Sequence, residues 1–316
     1  MDTFVDSSWY YLRYCDPEND QAPFDRGMVD YWLPVNQYIG GIEHAILHLL
    51  YARFFTKVMY DLGIVGFQEP FARLFNQGML YYRGAKMSKS KGNVVAPDEM
   101  VARYGAEAIR LYVLFMGPAE ADKEWQDAGI EGMFRFLNRL WRLGLEVAEA
   151  GAEGEPEGPL VVKAHETIAK VSDDIERRFQ FNTPIAAVTE LVNDIYAAKD
   201  DPGQAAAVRF ATETAISLIQ PYVPHITEEL WQRLGHERLW KTPWPEADPA
   251  YLERETFELV VQVNGRVRGK VEVPAGLDED ELVARARELP RVAAYVDGKE
   301  LKNAIVVPGR LVNLVV

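Results

Sequence analysis

The sequence predicts a multidomain chain in which an α/β region is followed by an all-α region and a small α+β C-terminal module. Three observations predict this order. Strand-like segments, turn signals and a few amphipathic stretches fill the first 118 residues, and helical periodicity without strand signals runs on to residue 248. From residue 249 the apolar period returns to two. We therefore expect domains at 1–118, 119–248 and 249–316.

The first region is predicted to combine short strands with helices. Residues 1–42 are rich in aromatic residues and turn signals, which favours strands and loops. A helix is expected over His44–Asp61, after a glycine pair, because its apolar residues recur at helical spacing. Leu74–Tyr82 is typical of a strand that leads into a basic, glycine-bounded loop over 84–92. A further helix is expected over Ala106–Phe115.

The second region is predicted to be a helical bundle. Its expected helices are Gly132–Val147, Val162–Phe179, Thr183–Ala198, Gln204–Leu218 and Ile226–Leu234. An acidic stretch over 149–159, rich in Gly, Glu and Pro, is interpreted as a solvated connection. In the third region Asn264-Gly265 lies between alternating valines, which is a strong hairpin signal. A helix over Asp278–Leu289 and further strands near Ala304–Val307 and Leu311–Val316 complete the module.

Composition narrows the classes of protein that fit. Lys and Arg total 34 against 48 Asp and Glu, a formal charge of −14, so indiscriminate attraction to nucleic acid is disfavoured, while a local basic patch is still allowed. The single cysteine, Cys15, excludes an internal disulfide and fits a reducing cytoplasm. The longest apolar runs are too short to cross a bilayer, so no membrane partner is expected.

The most informative string is Lys86-Met87-Ser88-Lys89-Ser90, within the glycine-bounded loop. Ammonium groups and hydroxyl donors on a loop that can open and close suit the stabilisation of polyphosphate charge. A generic Lys/Ser string would more often be a solvated turn or a nucleic-acid patch. A match to all five positions favours the phosphate interpretation.

This string resembles the KMSKS signature of class I aminoacyl-tRNA synthetases, and its surroundings resemble the leucyl-tRNA synthetase family in particular. The similar segments are 2–11, Tyr38–Phe54, Arg135–Arg139 and 307–313, so the resemblance covers nearly the whole chain. It implies the second half of a Rossmann-like catalytic fold with the KMSKS loop, an anticodon-binding-type helical bundle, and a tRNA-binding C-terminal module.

The resemblance implies activation of leucine by ATP to leucyl-adenylate and transfer to tRNA(Leu). ATP would enter as its Mg²⁺ complex, and no bound prosthetic group is expected. Lys86 and Lys89 are the implied catalytic residues. The implied ATP- or adenylate-binding residues are Gly40, Gly41, Glu43, Met87, Ser88 and Ser90. The implied leucine-binding residues are Phe4, Ser7, Tyr10, Tyr38, His44 and His48.

His44 and His48 are four residues apart and would share one face of the expected helix. By residue type alone the pair could be packing residues, pocket residues or metal ligands. Ala45 stands where the metalloprotease pattern needs Glu, and no cysteine cluster supplies further ligands, so we predict no metal site. The resemblance favours the substrate pocket.

The HIGH-type signature that such an active site also needs is absent, since none of the five histidines has that context. The resemblance implies a C-terminal portion beginning after the editing insertion. We therefore expect an N-terminal HIGH-containing half as partner, in the same full-length chain or as a separate subunit, and an inactive isolated chain. One alternative is a non-catalytic tRNA-binding protein that retains the scaffold, and another is a different aliphatic-specific class I synthetase.

Two groups of basic residues are candidates for tRNA phosphate contacts. They are Arg135, Arg139 and Arg142 at helical spacing, and Arg266, Arg268 and Lys270 in alternation on the hairpin. For any one of them a solvated surface position is the simpler interpretation.

Overall fold

The computed structural model describes residues 3–152, 154–252, 256–274, 277–299, 301–307 and 310–316, without the side chains of Thr3, Lys89, Thr256 and Phe257. The chain forms two compact units, Met1–Pro245 and Glu246–Val316. The first unit opens with three short helices, α1 (Thr3–Ser7), α2 (Tyr10–Arg13) and α3 (Arg26–Trp32). The prediction of short strands and loops over 1–42 is therefore wrong for these three helices, although a strand over Tyr38–Gly41 and the stretches around α3 agree with it. Helices of seven residues or fewer are too short to show their period in the sequence.

Strand β1 (Tyr38–Gly41) leads through a 3₁₀ turn, Ile42–Ile46, into helix α4 (His48–Asp61). The prediction of one continuous helix from His44 is wrong, because Leu47 has φ −116° and ψ −108°, which no helix contains. His44 and His48 therefore lie on different elements.

Two small sheets follow. Strand β2 (Leu74–Gln77) pairs in parallel with β1. Strand β3 (Leu80–Tyr82) is antiparallel to β4 (Ala85–Lys86) and parallel to β5 (Lys123–Glu124). The expected single strand over Leu74–Tyr82 is divided at Gly78, where a Cβ would overlap the backbone of Ala121. The close approach of these two segments requires glycine and ends β2.

The remaining elements of this unit are helical. They are α5 (Pro97–Tyr104), α6 (Ala106–Phe115), α7 (Asp127–Ala150), α8 (Pro159–Glu176), α9 (Asn182–Ala198), α10 (Ala205–Ile219) and α11 (Pro224–Arg233). The five helices predicted for the bundle are confirmed as α7–α11, with ends shifted by up to five residues. Their buried faces supply much of the core, including Leu140, Leu191 and Ile216.

Helix α6 is fastened to the turn between α10 and α11. The Glu107 carboxylate accepts hydrogen bonds from the backbone N–H groups of His225 and Ile226 at 2.6 and 3.1 Å. The Arg110 guanidinium donates to the carbonyls of Tyr222 and Pro221 at 3.1 and 3.2 Å. One helix therefore satisfies the free backbone groups at the end of α10 and the start of α11.

Two glycines of α7 give a stability prediction. A Cβ at Gly129 would overlap the ring of the buried Tyr112, whereas a Cβ at Gly132 would meet no atom within 4 Å. We expect Gly129→Ala to lower the free energy of unfolding by about 2 kcal/mol through overpacking. Gly132→Ala should instead raise it by about 0.5–1 kcal/mol, because alanine favours the helix. Urea unfolding of both variants is the measurement, and equal effects would contradict the assigned contact.

The second unit is a four-stranded sheet with two helices. Its strands are β6 (Thr256–Val263), β7 (Arg266–Pro274), β8 (Asn303–Val307) and β9 (Leu311–Val315), in the order β7-β6-β9-β8. Its helices are α12 (Glu279–Glu288) and α13 (Pro290–Val296). The predicted hairpin is confirmed: Asn264 and Gly265 have φ 49° and 76°, as a tight primed turn requires. Among the described helices of both units, none has the length and apolarity needed to cross a bilayer.

Candidate active site

The glycine pair at the end of β1 makes room for an acidic side chain. A Cβ at Gly41 would overlap the carboxylate of Glu43, and a Cβ at Gly40 would lie 2.8 Å from the Tyr38 ring. The Glu43 carboxylate therefore folds back over the end of β1 and remains 43% exposed. A carboxylate in this position can accept hydrogen bonds from the hydroxyls of a bound sugar.

The KMSKS string begins in strand β4 and ends in a short 3₁₀ turn, Lys89–Lys91. The backbone N–H of Met87 donates to the Leu80 carbonyl at 3.0 Å, which ties the string to β3. The hydroxyls of Ser88 and Ser90 lie 3.0 Å apart. The side chain of Lys89 lies outside the part of the chain that the structure describes.

The two segments meet through one ion pair. The ammonium nitrogen of Lys86 lies 3.8 Å from Oε1 of Glu43, with the two side chains 50% and 43% exposed. An exposed pair at this distance contributes little to stability. The pair shows instead that the signature loop lies beside the glycine-rich turn that contains Gly40 and Gly41.

Asn93, to which the sequence analysis gives no role, organises the loop. Its Oδ1 accepts a hydrogen bond from the backbone N–H of Ser88 at 2.9 Å. Its Nδ2 lies 3.1, 3.2 and 3.4 Å from the carbonyl oxygens of Lys86, Ala85 and Tyr82. The sequence signal was available, since Gly92-Asn93 closes the loop and Asn readily bonds to nearby backbone.

An aromatic cluster lies at the other side of β1. The ring of His48 lies 6.0 Å from that of Tyr10, 5.6 Å from that of Tyr38 and 6.3 Å from that of Phe71. The Tyr38 and Phe71 rings are 4.8 Å apart. The structure therefore brings together predicted pocket residues from α2, β1 and α4. It adds Phe71, which precedes β2 and could not be identified without its tertiary contacts.

The other predicted pocket residues lie on α1 and on the 3₁₀ turn that precedes α4. The His44 ring is 6.0 Å from that of His48 although the two belong to different helical elements. Phe4 stacks on Tyr51 with ring centres 5.5 Å apart. The Ser7 hydroxyl donates to the Phe4 carbonyl at 3.2 Å and so bonds within its own helix. Tyr51 is a second contact that the sequence analysis did not include.

Both histidines of the cluster present unsatisfied polar atoms. Nδ1 of His44 and Nδ1 of His48 are buried and have no hydrogen-bond partner among the described residues. Burial lowers the pKa of His48, and the neighbouring His44 lowers this pKa further. Burial also raises the pKa of Tyr10 and Tyr38. A neutral, partly apolar wall with a few free polar atoms suits an aliphatic ligand that also carries polar groups. The described residues contain no group of three or more side chains suited to holding a metal.

The lowered pKa of His48 predicts a pH dependence. In the folded chain the neutral imidazole is favoured, so the contribution of His48 to stability is present above 6.5 and is lost as pH falls through the lower folded pKa. We expect NMR titration to place the His48 transition below 6.5. The variant His44→Phe should move it upward by removing the neighbouring imidazole that lowers the pKa of His48. A transition at or above 6.5 in the unaltered chain would contradict the assigned burial.

The six basic residues predicted to contact tRNA divide between the two units. Arg135, Arg139 and Arg142 all lie on α7, where the Arg139 guanidinium lies 4.7 Å from the centre of the Tyr196 ring. Their role in tRNA binding stays a prediction.

In the second unit, strict alternation of Arg266, Arg268 and Lys270 on the hairpin does not hold. A register shift between Val261 and Gln262 leaves Arg268 without a partner in β6. Its guanidinium stacks 3.9 Å over the Tyr295 ring of α13, whereas Lys270 forms a 2.7 Å ion pair with Glu258.

Two family models match the chain. One, described as tRNA synthetases class I (I, L, M and V), matches residues 2–126, and one described as anticodon-binding domain of tRNA ligase matches residues 160–283. The leucine–tRNA ligase of Geobacter sp. (strain M21) is 51% identical over all of this chain and 40% of its own length. That of Pseudothermotoga lettingae is 50% identical with the same coverage. Over its whole length the chain is therefore similar to leucine–tRNA ligases, and residues 2–126 are similar to the class I tRNA synthetases.

Solved structures agree with this similarity. The LeuRS of Agrobacterium radiobacter K84, in a ternary complex with tRNA and LeuAMS, is 37% identical, with a TM-score of 0.83 over all of this chain and 41% of its own. A Mycobacterium tuberculosis methionyl-tRNA synthetase with methionyl-adenylate, 21% identical, has a TM-score of 0.57 over 74% of this chain and 50% of its own, and supports the fold alone. The chain spans about 40% of the length of the curated relatives named above.

Proposed function

We propose that this chain supplies the KMSKS-bearing part of a leucine–tRNA ligase. Together with a HIGH-containing half it would activate leucine with ATP to leucyl-adenylate and transfer the leucyl group to tRNA(Leu). ATP enters as its Mg²⁺ complex. The observation that carries the proposal is the meeting of the glycine-rich turn and the signature loop through Glu43 and Lys86, 3.8 Å apart. The similarity over the whole chain to leucine–tRNA ligases supports it.

In the proposed reaction each segment has a separate task. The Glu43 carboxylate accepts hydrogen bonds from the adenylate ribose, and Gly40 and Gly41 admit the nucleotide close to the backbone. Ribose binding competes with Lys86 for Glu43. The freed Lys86 and Lys89 then stabilise the charge of the departing pyrophosphate, with Met87, Ser88 and Ser90 supporting the closed loop. The lysines are suited to this because their charge is mobile.

The aromatic cluster is the proposed leucine site. The ring centres of Tyr10, Tyr38 and His44 lie 6.0, 5.6 and 6.0 Å from that of His48, and Phe4 and Ser7 complete the proposed wall. Such a wall gives an isobutyl group apolar contact, but a single methylene changes binding by only about 1–3 kcal/mol. We therefore expect discrimination against valine and isoleucine to be limited at this site.

The helical and C-terminal regions are proposed to bind tRNA. In this division residues 1–118 form the catalytic half, 119–248 the tRNA-binding bundle and 249–316 the C-terminal module, and the protein acts in the cytoplasm. The six basic residues named above would contact phosphates. The tRNA in the Agrobacterium LeuRS complex supports this assignment.

The test is leucine-dependent ATP–pyrophosphate exchange by the chain alone, by a separately expressed HIGH-containing half, and by their mixture. We expect exchange in the mixture only, and none when leucine is omitted. Exchange by the chain alone would contradict the need for a partner. No exchange in the mixture, with tRNA(Leu) still retained in a filter assay, would favour a non-catalytic tRNA-binding protein.

A further inference from the structure

The side chain of Asn93 bonds at once to the first residue of the signature string, Lys86, and to its middle residue, Ser88. Its carbonyl oxygen accepts from the N–H of Ser88, while its two N–H groups lie within hydrogen-bond distance of three carbonyls, those of Tyr82, Ala85 and Lys86. These groups belong to β3, to β4 and to the loop that follows. A single amide therefore joins the strand pair to the loop tip.

The local backbone explains why this connection is needed. Arg83 and Gly84 have φ 54° and 70° in the turn between β3 and β4, and Gly92 has φ 64° just before Asn93. A turn with positive φ thus lies before the signature and another at its end. Lys86 is otherwise held by its pairing with Tyr81 in the two-residue strand β4, and the other contacts of Ser88 lie within the loop, to Ser90 and Lys91. Without the amide, the loop would have many backbone arrangements of similar energy.

We propose that Asn93 is a positioning residue for the KMSKS loop. Its amide preorganises the backbone of Lys86 and Ser88 so that the loop meets polyphosphate as one rigid piece. The inference rests on the proposed function for its kinetic consequence, whereas its structural consequence is independent of activity. Asn93 itself contacts no reacting atom in this proposal.

Two substitutions separate the contacts of the amide. Asn93→Ala removes all of them. Asn93→Asp keeps an acceptor for the Ser88 N–H but loses the donors and places a carboxylate against three carbonyl oxygens. The matched control is Asn19→Ala. The Asn19 amide also organises a loop, through the N–H groups of Gln21 and Ala22 and the carboxylate of Asp16, away from the signature.

Hydrogen exchange by mass spectrometry, with the chain alone, tests the structural part. In the peptide spanning residues 84–93 we expect about tenfold faster exchange in Asn93→Ala and at least as large an increase in Asn93→Asp, because the carboxylate is repelled by the three carbonyl oxygens. Inorganic pyrophosphate should protect this peptide in the unaltered chain and in Asn19→Ala, but not in Asn93→Ala. Unchanged protection in Asn93→Ala would overturn the proposal.

Pyrophosphate exchange in the mixture with the HIGH-containing half tests the kinetic part. We expect Asn93→Ala to lower kcat about 10- to 100-fold with the KM for leucine unchanged, as for misplacement of catalytic groups. Faster hydrogen exchange with unaltered kcat would overturn the positioning role. If the unaltered mixture is inactive, the proposed function fails, and the pyrophosphate-protection experiment still decides the inference about Asn93.

Discussion

We expect the substitution Lys89→Ala to lower the rate of leucine-dependent ATP–pyrophosphate exchange by about 10²–10³-fold. The physical reason is that a positive charge aimed at developing phosphate charge acts mainly in the transition state. The fall should therefore appear in kcat, with the KM for leucine unchanged. The measurement is exchange by the chain mixed with the HIGH-containing half.

Lys91→Ala is the matched control, because Lys91 belongs to the same 3₁₀ turn and carries the same charge. We expect the exchange rate of Lys91→Ala to remain within about threefold of the rate of the unaltered chain, because one exposed charge near the site acts only through a screened field. Equal losses in the two variants would mean that the loop supplies only general positive potential. Retention of activity by Lys89→Ala would remove the proposed role of this lysine.

The helical bundle could be predicted because its signal is local. Apolar residues recur at helical spacing over 10 to 24 residues in α7–α11, and this period survives whatever the helices pack against. The hairpin was equally accessible, since Asn264-Gly265 carries its own backbone preference. Both depend on information within a short stretch of chain.

Two of the errors lie at single residues where a helix or a strand is interrupted. Leu47 interrupts the expected helix between His44 and His48, and Gly78 ends a strand because Ala121 approaches it. Neither event has a local sequence signal. The site shows the same difference between local and distant information. The signature string could be found from its residues alone, whereas the contribution of Phe71 depends on tertiary packing. Asn93 is an intermediate case. Its place at the end of the loop is evident from the sequence, whereas its hydrogen-bond partners are known only from the structure.

Asp174 is expected to contribute the largest single polar term to the stability of the bundle. Its side chain, on α8, is only 1% exposed, and its two oxygens accept from Lys170 at 2.8 Å and from Arg178 at 3.1 Å. Burial alone would raise the pKa of this carboxyl. The hydrogen bond from Lys170 and the charges of Lys170 and Arg178 outweigh burial and hold the pKa below its ordinary value of 3.8.

We expect Asp174→Asn to lower the free energy of unfolding by about 2–3 kcal/mol at pH 7. The loss should lie at the lower end for a buried ion pair, because Lys170 and Arg178 are 48% and 61% exposed and can return to water. Asp173→Asn is the control. Asp173 is the neighbouring residue, and its pair with Arg177 is exposed on both sides, so its loss should stay below about 0.5 kcal/mol.

The pH dependence of the same pair of variants distinguishes charge from shape. Because the folded pKa of Asp174 is depressed, its stabilising contribution is present above the unfolded pKa and disappears as pH falls through the folded value. The difference in unfolding free energy between the unaltered chain and Asp174→Asn should therefore shrink as the pH is lowered from 7 to below 3.8. Urea unfolding at a series of pH values measures this. A difference that is independent of pH would show that Asp174 stabilises α8 by packing and neutral hydrogen bonds and not by its charge.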